Sequence, residues 1–241
     1  MRAQTPVAVV TGGARRLGRH LCTTLAARGY DVVIFYRNSE DDARALVQEI
    51  GATGRRARAR AVDVGVEAQV AAAFAEIAGE EGRVDLLVNN VGNYNPQDVT
   101  ALDPAVWDAT MGANLSGAYY CCYHAIPLMP GGGQIVSIGM AGLEGIRANR
   151  RGADYYVSKT GLLVLTRALA AGYADRQIRV NMISPGQLEN SVDLPAPDQM
   201  ALTVPLGRAG TLDDVARALH YLLDAGYVTG VNIDVAGGYR L

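Results

Sequence analysis

The chain has 241 residues, of which 49% are hydrophobic and 19% charged, a balance that excludes a disordered or fibrous protein and allows one sizeable core. Its 22 cations and 24 anions leave a net charge of −2, which gives no electrostatic basis for a nucleic-acid partner or an anionic membrane surface. Three cysteines and no apolar run near the ~20 residues of a membrane span point to a reduced, cytoplasmic setting without metal-ligand spacing.

In chain order, apolar runs of strand length alternate with amphipathic segments of helix length. Strands are expected at Val7–Thr11, Asp31–Tyr36, Ala57–Asp63, Asp85–Asn89, Gln134–Gly139, Ile178–Ile183 and Val231–Val235. They are short, rich in Val and Ile, and not strictly alternating, which suits strands buried on both faces of a parallel sheet. Helices are expected at Leu17–Arg28, Ser39–Ile50, Glu67–Glu81, Pro104–Met129, Asp154–Asp175 and Leu212–Asp224. This alternation predicts a single-domain α/β fold over residues 1–241, a doubly wound (Rossmann-type) parallel sheet of about seven strands with helices on both faces. The segment Gln187–Thr211, with Pro195, Pro197 and Pro205, carries no clear element and is a candidate substrate lid.

Several features read as ordinary structure. The run Arg55–Arg60 alternates with alanine as it enters a strand and reads as a solvated strand start. His20, His124 and His220 stand singly, so no metal site is expected. Trp107, Cys121 and Cys122 are expected to pack.

The first strand runs into Thr11-Gly12-Gly13-Ala14-Arg15-Arg16-Leu17-Gly18. A glycine-rich turn between a first strand and a first helix lets backbone approach a pyrophosphate seated at the helix N-terminus. The second strand ends Tyr36-Arg37-Asn38-Ser39 with no carboxylate for a ribose 2′-hydroxyl; Arg37 and Ser39, with Arg16 nearby, favour the 2′-phosphate of NADP(H). Asp63 closes the third strand and Asn89-Asn90-Val91-Gly92 the fourth.

The one lysine, against 21 arginines, is Lys159, four residues after Tyr155. One helical turn puts both on one face. A neighbouring ammonium favours the phenolate, so a phenol that is otherwise a poor acid at neutral pH can exchange a proton with a carbonyl or alcohol.

With these motifs the sequence resembles the short-chain dehydrogenase/reductase family over essentially its whole length. The Thr11–Gly18 turn, Asp63, Asn89–Gly92, Asn114, Tyr155-x-x-x-Lys159, Asn181, Ser184-Pro185-Gly186, Thr229-Gly230 and Gly237-Gly238 all occur in family order. The resemblance implies a homo-oligomer, dimer or tetramer, acting on a small molecule with NADP(H). It implies Tyr155 as acid/base, Lys159 as its activator and ribose ligand, and Asn114 as holder of a relay water. The cofactor set is then Gly12, Arg15, Arg16, Leu17, Gly18, Arg37, Asn38, Ser39, Asp63, Val64, Asn90, Val91, Gly92, Tyr155, Lys159, Pro185, Gly186 and Leu188. The turn Thr-Gly-x-x-x-Arg-x-Gly is similar to the pteridine reductase branch, which adds Arg16 and Tyr94 as substrate contacts, Tyr94 by stacking on a flat heterocycle.

The family pattern breaks where a serine, or an aspartate in the pteridine reductases, orients the substrate oxygen. Aligning on the fifth strand puts Met140 there, counting back from Tyr155 gives Gly142, and neither supplies a hydroxyl. Ser137 points to the opposite face of its strand, Asp154 diverges from Tyr155 on the helix, and Asn149 of a lengthened loop is a candidate replacement. The expected function is NADPH-dependent reduction of a carbonyl or imine, with a pterin as one candidate substrate. The alternatives are a 3-oxoacyl carrier-protein reductase, with Arg147, Arg150 and Arg151 as docking patch, and a catalytically weakened NADPH-binding sensor or scaffold. Alanine at Ala236, where the family has aspartate, is a further departure.

Overall fold

The computed structural model describes residues 5–145, 149–191 and 196–240. Seven strands run parallel: β1 (Val7–Thr11), β2 (Asp31–Tyr36), β3 (Ala57–Ala61), β4 (Leu86–Asn89), β5 (Gly133–Ile138), β6 (Ile178–Pro185) and β7 (Asn232–Val235). They lie in the order β3-β2-β1-β4-β5-β6-β7. The order reverses between β1 and β4, and ligands of such sheets bind beyond the carboxyl ends of the strands at that point.

β1 and β2 are almost wholly apolar because each feeds two cores. Ala8, Val10, Val32 and Ile34 enter one with Leu21 and Leu25 of α1 (Arg16–Ala27), Leu46 and Ile50 of α2 (Glu40–Ala52), and Leu219 and Leu222 of α8 (Leu212–Asp224). Val7, Val9, Val33 and Phe35 enter the other with Phe74 and Ile77 of α3 (Glu67–Glu80) and the buried Cys121 and Cys122. Trp107 is only half-buried. β3 is an edge strand, and its arginines are more than solvated: Arg58 and Arg60 pair with Glu76, Glu80 and Glu81 of α3 and around its end. A charged edge of this kind opposes pairing with another sheet.

The long helix expected over Pro104–Met129 is divided. α4 (Pro104–Met111) leads into a π turn at Gly112–Ser116, then α5 (Gly117–Ala125) and a short 3₁₀ turn at Ile126–Leu128. Gly117 lets the divided helix press on the turn after β3, since a Cβ there would stand 2.8 Å from Val64 Cγ2 and 2.9 Å from Val64 O. α6 (Ala153–Gly172) carries Tyr155 and Lys159 and is followed by a 3₁₀ turn at Ala174–Arg176. The candidate lid holds a helix that the sequence reading lacked, α7 (Pro197–Thr203). Proline at its first turn needs no amide partner, and buried Met200 and Val204 anchor the helix end. Residues 192–195 of that segment, and Arg147 of the suggested docking patch, lie outside the described residues. Among the described residues no helix is long and apolar enough to cross a membrane, and no acidic, histidine or cysteine cluster has the make-up of a metal site.

Candidate active site

The switch point is built by threonine, asparagine and glycine. Thr11 Oγ1 accepts from the backbone N–H of Asn90 (3.0 Å) and Val91 (3.2 Å), tying the end of β1 to the end of β4. Asn90 Nδ2 donates to the carbonyls of Thr11 (3.0 Å) and Gly12 (3.2 Å). Gly12 sits at φ +60°, and a Cβ on Gly18 would stand 2.2 Å from Gly12 O and 2.7 Å from Asn90 Nδ2, so the turn and helix meet backbone to backbone. Arg16 opens α1 in the left-handed region at φ +48° with an exposed side chain. Arg15 is exposed too, and its guanidinium is held by Asp42 of α2 at 2.5 Å. Leu17 is core rather than surface.

Beside this turn a cavity of about 220 Å³ is lined by Gly12, Tyr36, Arg37, Val62, Asp63, Val64, Val91, Gly92, Asn93 and Ala113. It gathers six of the residues named from sequence as cofactor ligands, and adds Tyr36, Val62, Asn93 and Ala113. Arg37 and Asp63 form an exposed pair at 3.5 Å across its rim. Asn38 is exposed and Ser39 stands at the start of α2. The surface fits a dinucleotide: backbone in the place a Cβ would fill, and a cation at the end of β2.

On α6, Lys159 is 1% exposed. Its ammonium donates to the carbonyl of Ile138 (2.8 Å), and Val91 O lies at 3.5 Å, so it reads the carboxyl ends of β5 and β4. Burial draws its pKa down to about 8. Its Nζ lies 5.8 Å from the centre of the Tyr155 ring. The π turn brings Asn114 to the same place, where Oδ1 accepts from Asn93 N (2.6 Å) and Nδ2 donates to Asn93 O (2.9 Å) and Ser158 Oγ (3.0 Å). Ser158 Oγ donates on to the Tyr155 carbonyl at 2.8 Å. Sequence reading missed Ser158, one residue before the lysine, although the same helical turn held the signal.

The residues from 12 to 240 match the family model described as enoyl-(acyl carrier protein) reductase. The chain is 33% identical over 237 residues to the 3-oxoacyl-[acyl-carrier-protein] reductase FabG of Staphylococcus epidermidis, covering 96% of this chain and 97% of that one. The chain belongs to the short-chain dehydrogenase/reductase family. Among solved structures it is similar to a blue fluorescent protein from a metagenomic library in complex with NADPH, at TM-score 0.90 and 34% identity over 98% of each chain. It is also similar to a short chain dehydrogenase from Burkholderia cenocepacia in complex with NADP, at TM-score 0.91 and 31% identity over 99% of each chain.

For a dehydrogenase/reductase of this family the substrate side departs from the pattern. A second cavity of about 220 Å³ is lined by Tyr94, Met140, Ala141, Tyr155, Tyr156, Pro185, Gly186, Gln187, Ser191, Tyr239 and Arg240. Met140 is buried among Leu143, Leu162, Leu163 and Met182 and presents no hydrogen-bond donor. Gly142 is at φ +80°, where a Cβ would come within 3.0 Å of Arg240 Cβ, so the second candidate for the missing serine makes room for an arginine. Asn149 donates to the hydroxyl of Tyr156 at 2.9 Å, one residue from the tyrosine it was suggested to serve. Asp154 is fully buried and accepts from Thr110 Oγ1 at 2.6 Å, away from Tyr155 as its helical position requires. Ser137 is buried between Asn89 and Met182 in the sheet. Tyr94 meets Tyr155 edge to face, ring centres 5.0 Å apart and planes at 68°. Leu188 is buried and its N–H donates to Ser191 Oγ. Of the suggested docking arginines, Arg150 pairs with Asp98 and Arg151 donates to Pro96 O. Tyr156, Gln187, Ser191, Tyr239 and Arg240 line the cavity without having been singled out in the sequence.

Proposed function

We propose that the protein is an NADPH-dependent oxidoreductase that reduces a carbonyl or imine group of a small molecule, with Tyr155 as proton donor. The observation that carries this reading is the buried ammonium of Lys159 beside Tyr155, whose ring lines the second cavity. NADPH supplies the hydride when bound. Gly12 and Gly18 receive its pyrophosphate on backbone, Arg37 its 2′-phosphate, and Asp63 and Val64 its adenine.

The chain's own groups manage the proton. As negative charge develops on the substrate oxygen, the Tyr155 hydroxyl donates to it. The phenolate left behind is stabilised by the Lys159 ammonium, whose charge is hardly screened at 1% exposure. An ammonium has three donors, and two carbonyls face this one, so one N–H remains for a ribose hydroxyl. Asn114 locks the Asn93 backbone to α6 through Ser158, and a lone pair on its Oδ1 is left to hold a water that returns protons to Tyr155.

A 3-oxoacyl thioester is the second reading, and the resemblance to 3-oxoacyl carrier-protein reductase supports it. Tyr94, an aromatic ring lining the cavity with Tyr155, supports a pterin; Arg16 is exposed and lines neither cavity. Consumption of NADPH is measured with quinones, aryl aldehydes, pterins and pantetheine thioesters. Turnover that Tyr155→Phe removes supports the proposal; tight NADPH binding with no turnover on any substrate sinks it in favour of a sensor or scaffold. We also propose a homo-oligomer, since α5 leaves Tyr119 and Tyr123 exposed and α6 leaves Val157 and Val164 exposed. Light scattering at a monomer's mass would rule it out.

A further inference from the structure

Arginine in this protein is mostly matched. Arg19, Arg28, Arg44, Arg56, Arg83 and Arg167 each lie on a carboxylate. Arg176 and Arg179 donate instead to backbone carbonyls, Arg179 to four of them. Among the described residues Arg240 lies on neither a carboxylate nor a backbone carbonyl; its partners are the side chains of Tyr156 and Tyr239. Its guanidinium lies 5.1 Å from the ring centre of Tyr156 and 4.9 Å from that of Tyr239. It is half-buried, and among the described residues it is the one formally charged side chain lining the cavity that Tyr155 shares.

The surroundings hold this cation in place. Arg240 is left-handed at φ +64°, a conformation uncommon for a residue other than glycine. Gly142 supplies the space, at the position one alignment assigns to the family serine. The Tyr156 ring, which stands under the guanidinium, is itself fixed through its hydroxyl by Asn149. A planar fork presented between two aromatic rings, with no carboxylate on it among the described residues and only partly in water, suits a two-oxygen anion.

We propose that Arg240 is a specificity-determining residue that receives an anionic group, a carboxylate, on the substrate whose carbonyl faces Tyr155. This rests on the reductase reading of the same cavity. A volume of about 220 Å³ limits that substrate to a small oxo-acid or a carboxylated aryl carbonyl.

The test uses the full chain with saturating NADPH and matched pairs: 4-formylbenzoate against its methyl ester, and 4-formylphenyl phosphate against 4-hydroxybenzaldehyde. We expect 4-formylbenzoate to exceed its ester in kcat/KM by about ten- to hundredfold, the range for one charge-assisted contact. The preference should lie in KM. Arg240→Gln should collapse the acid-to-ester ratio toward one, and Arg240→Lys should keep part of it. A ratio near one in the wild type, or one that survives Arg240→Gln, overturns the assignment; a preference confined to the phosphate pair overturns the carboxylate. If no carbonyl is turned over, calorimetric binding of terephthalate to the NADP⁺-loaded protein still reads Arg240. Binding lost in Arg240→Gln supports the site, and equal binding overturns it, whatever becomes of the reductase reading.

Discussion

The ammonium of Lys159 lies 2.8 Å from the carbonyl oxygen of Ile138, at the C-terminal end of β5. One side chain of α6 thus reports on the position of the sheet, and its charge is carried inside the protein without a carboxylate partner among the described residues.

That burial sets a pH dependence. A lysine of ordinary pKa 10.5 is drawn down to about 8 here by desolvation. Below pH 8 both folded and unfolded chains carry the charge and the folded state bears the full penalty; between 8 and 10.5 the unfolded chain binds more protons, so stability rises with pH. The stability advantage of Lys159→Met over wild type, measured by urea denaturation of the apo protein, should shrink by about 2 kcal/mol between pH 7.5 and 10. A difference that stays constant with pH argues against a charged lysine at this site.

Gly18 faces a backbone carbonyl that has no rotamer to move. With a Cβ 2.2 Å from Gly12 O, Gly18→Ala should cost about 1–3 kcal/mol. It should also weaken NADPH binding at least tenfold, because the cradle must open to admit the methyl group. Thermal melts and fluorescence titration of the same sample separate the two effects. Full NADPH affinity in the variant would mean that the cradle does not touch the pyrophosphate.

Arg37 stands at the end of β2 with the carboxylate of Asp63 at 3.5 Å. Arg37→Ala should raise the Kd for NADPH about ten- to hundredfold, the loss of a charge-assisted contact, and leave NADH binding nearly unchanged. Equal losses for the two cofactors would assign Arg37 to the shared part of the molecule.

Met140 is 9% exposed and lies against Leu143, Leu162 and Leu163. Met140→Ser should therefore lower stability by about 2–4 kcal/mol. If the substrate oxygen lacks a donor, the same change should raise kcat by on the order of tenfold, short of the 10²–10³ that a donor in a preorganised site supplies. A stability loss with no gain in rate would show that another group already holds that oxygen.

Much of this was legible in the chain. β1 and β2 begin and end where the sequence reading put them, because each is an unbroken apolar run closed by a turn. Lys159 and Tyr155 were legible because four residues is one turn, a relation that sequence carries directly. The π turn at Gly112–Ser116 was not: its amphipathic pattern runs on, and only Gly112 and Gly117 mark it. α7 hid among prolines, although Pro197 followed by Met200 and Val204 has helical spacing. Arg240 lay beyond sequence reading for a different reason. It reaches Tyr156 across 84 positions through the end of the sheet, and no local pattern encodes such a meeting.

The π turn carries its asparagine on one surplus residue. An i→i+5 turn inside a helix amounts to a single insertion, so removing one residue from Gly112–Ser116 would restore a continuous α-helix. α4 could still pack on α6, and α5 on α3. Asn114 alone would swing off Asn93 and Ser158. The scaffold can spare a residue here that the chemistry cannot, which makes this turn a place where a descendant of the chain could lose its catalysis while keeping its shape.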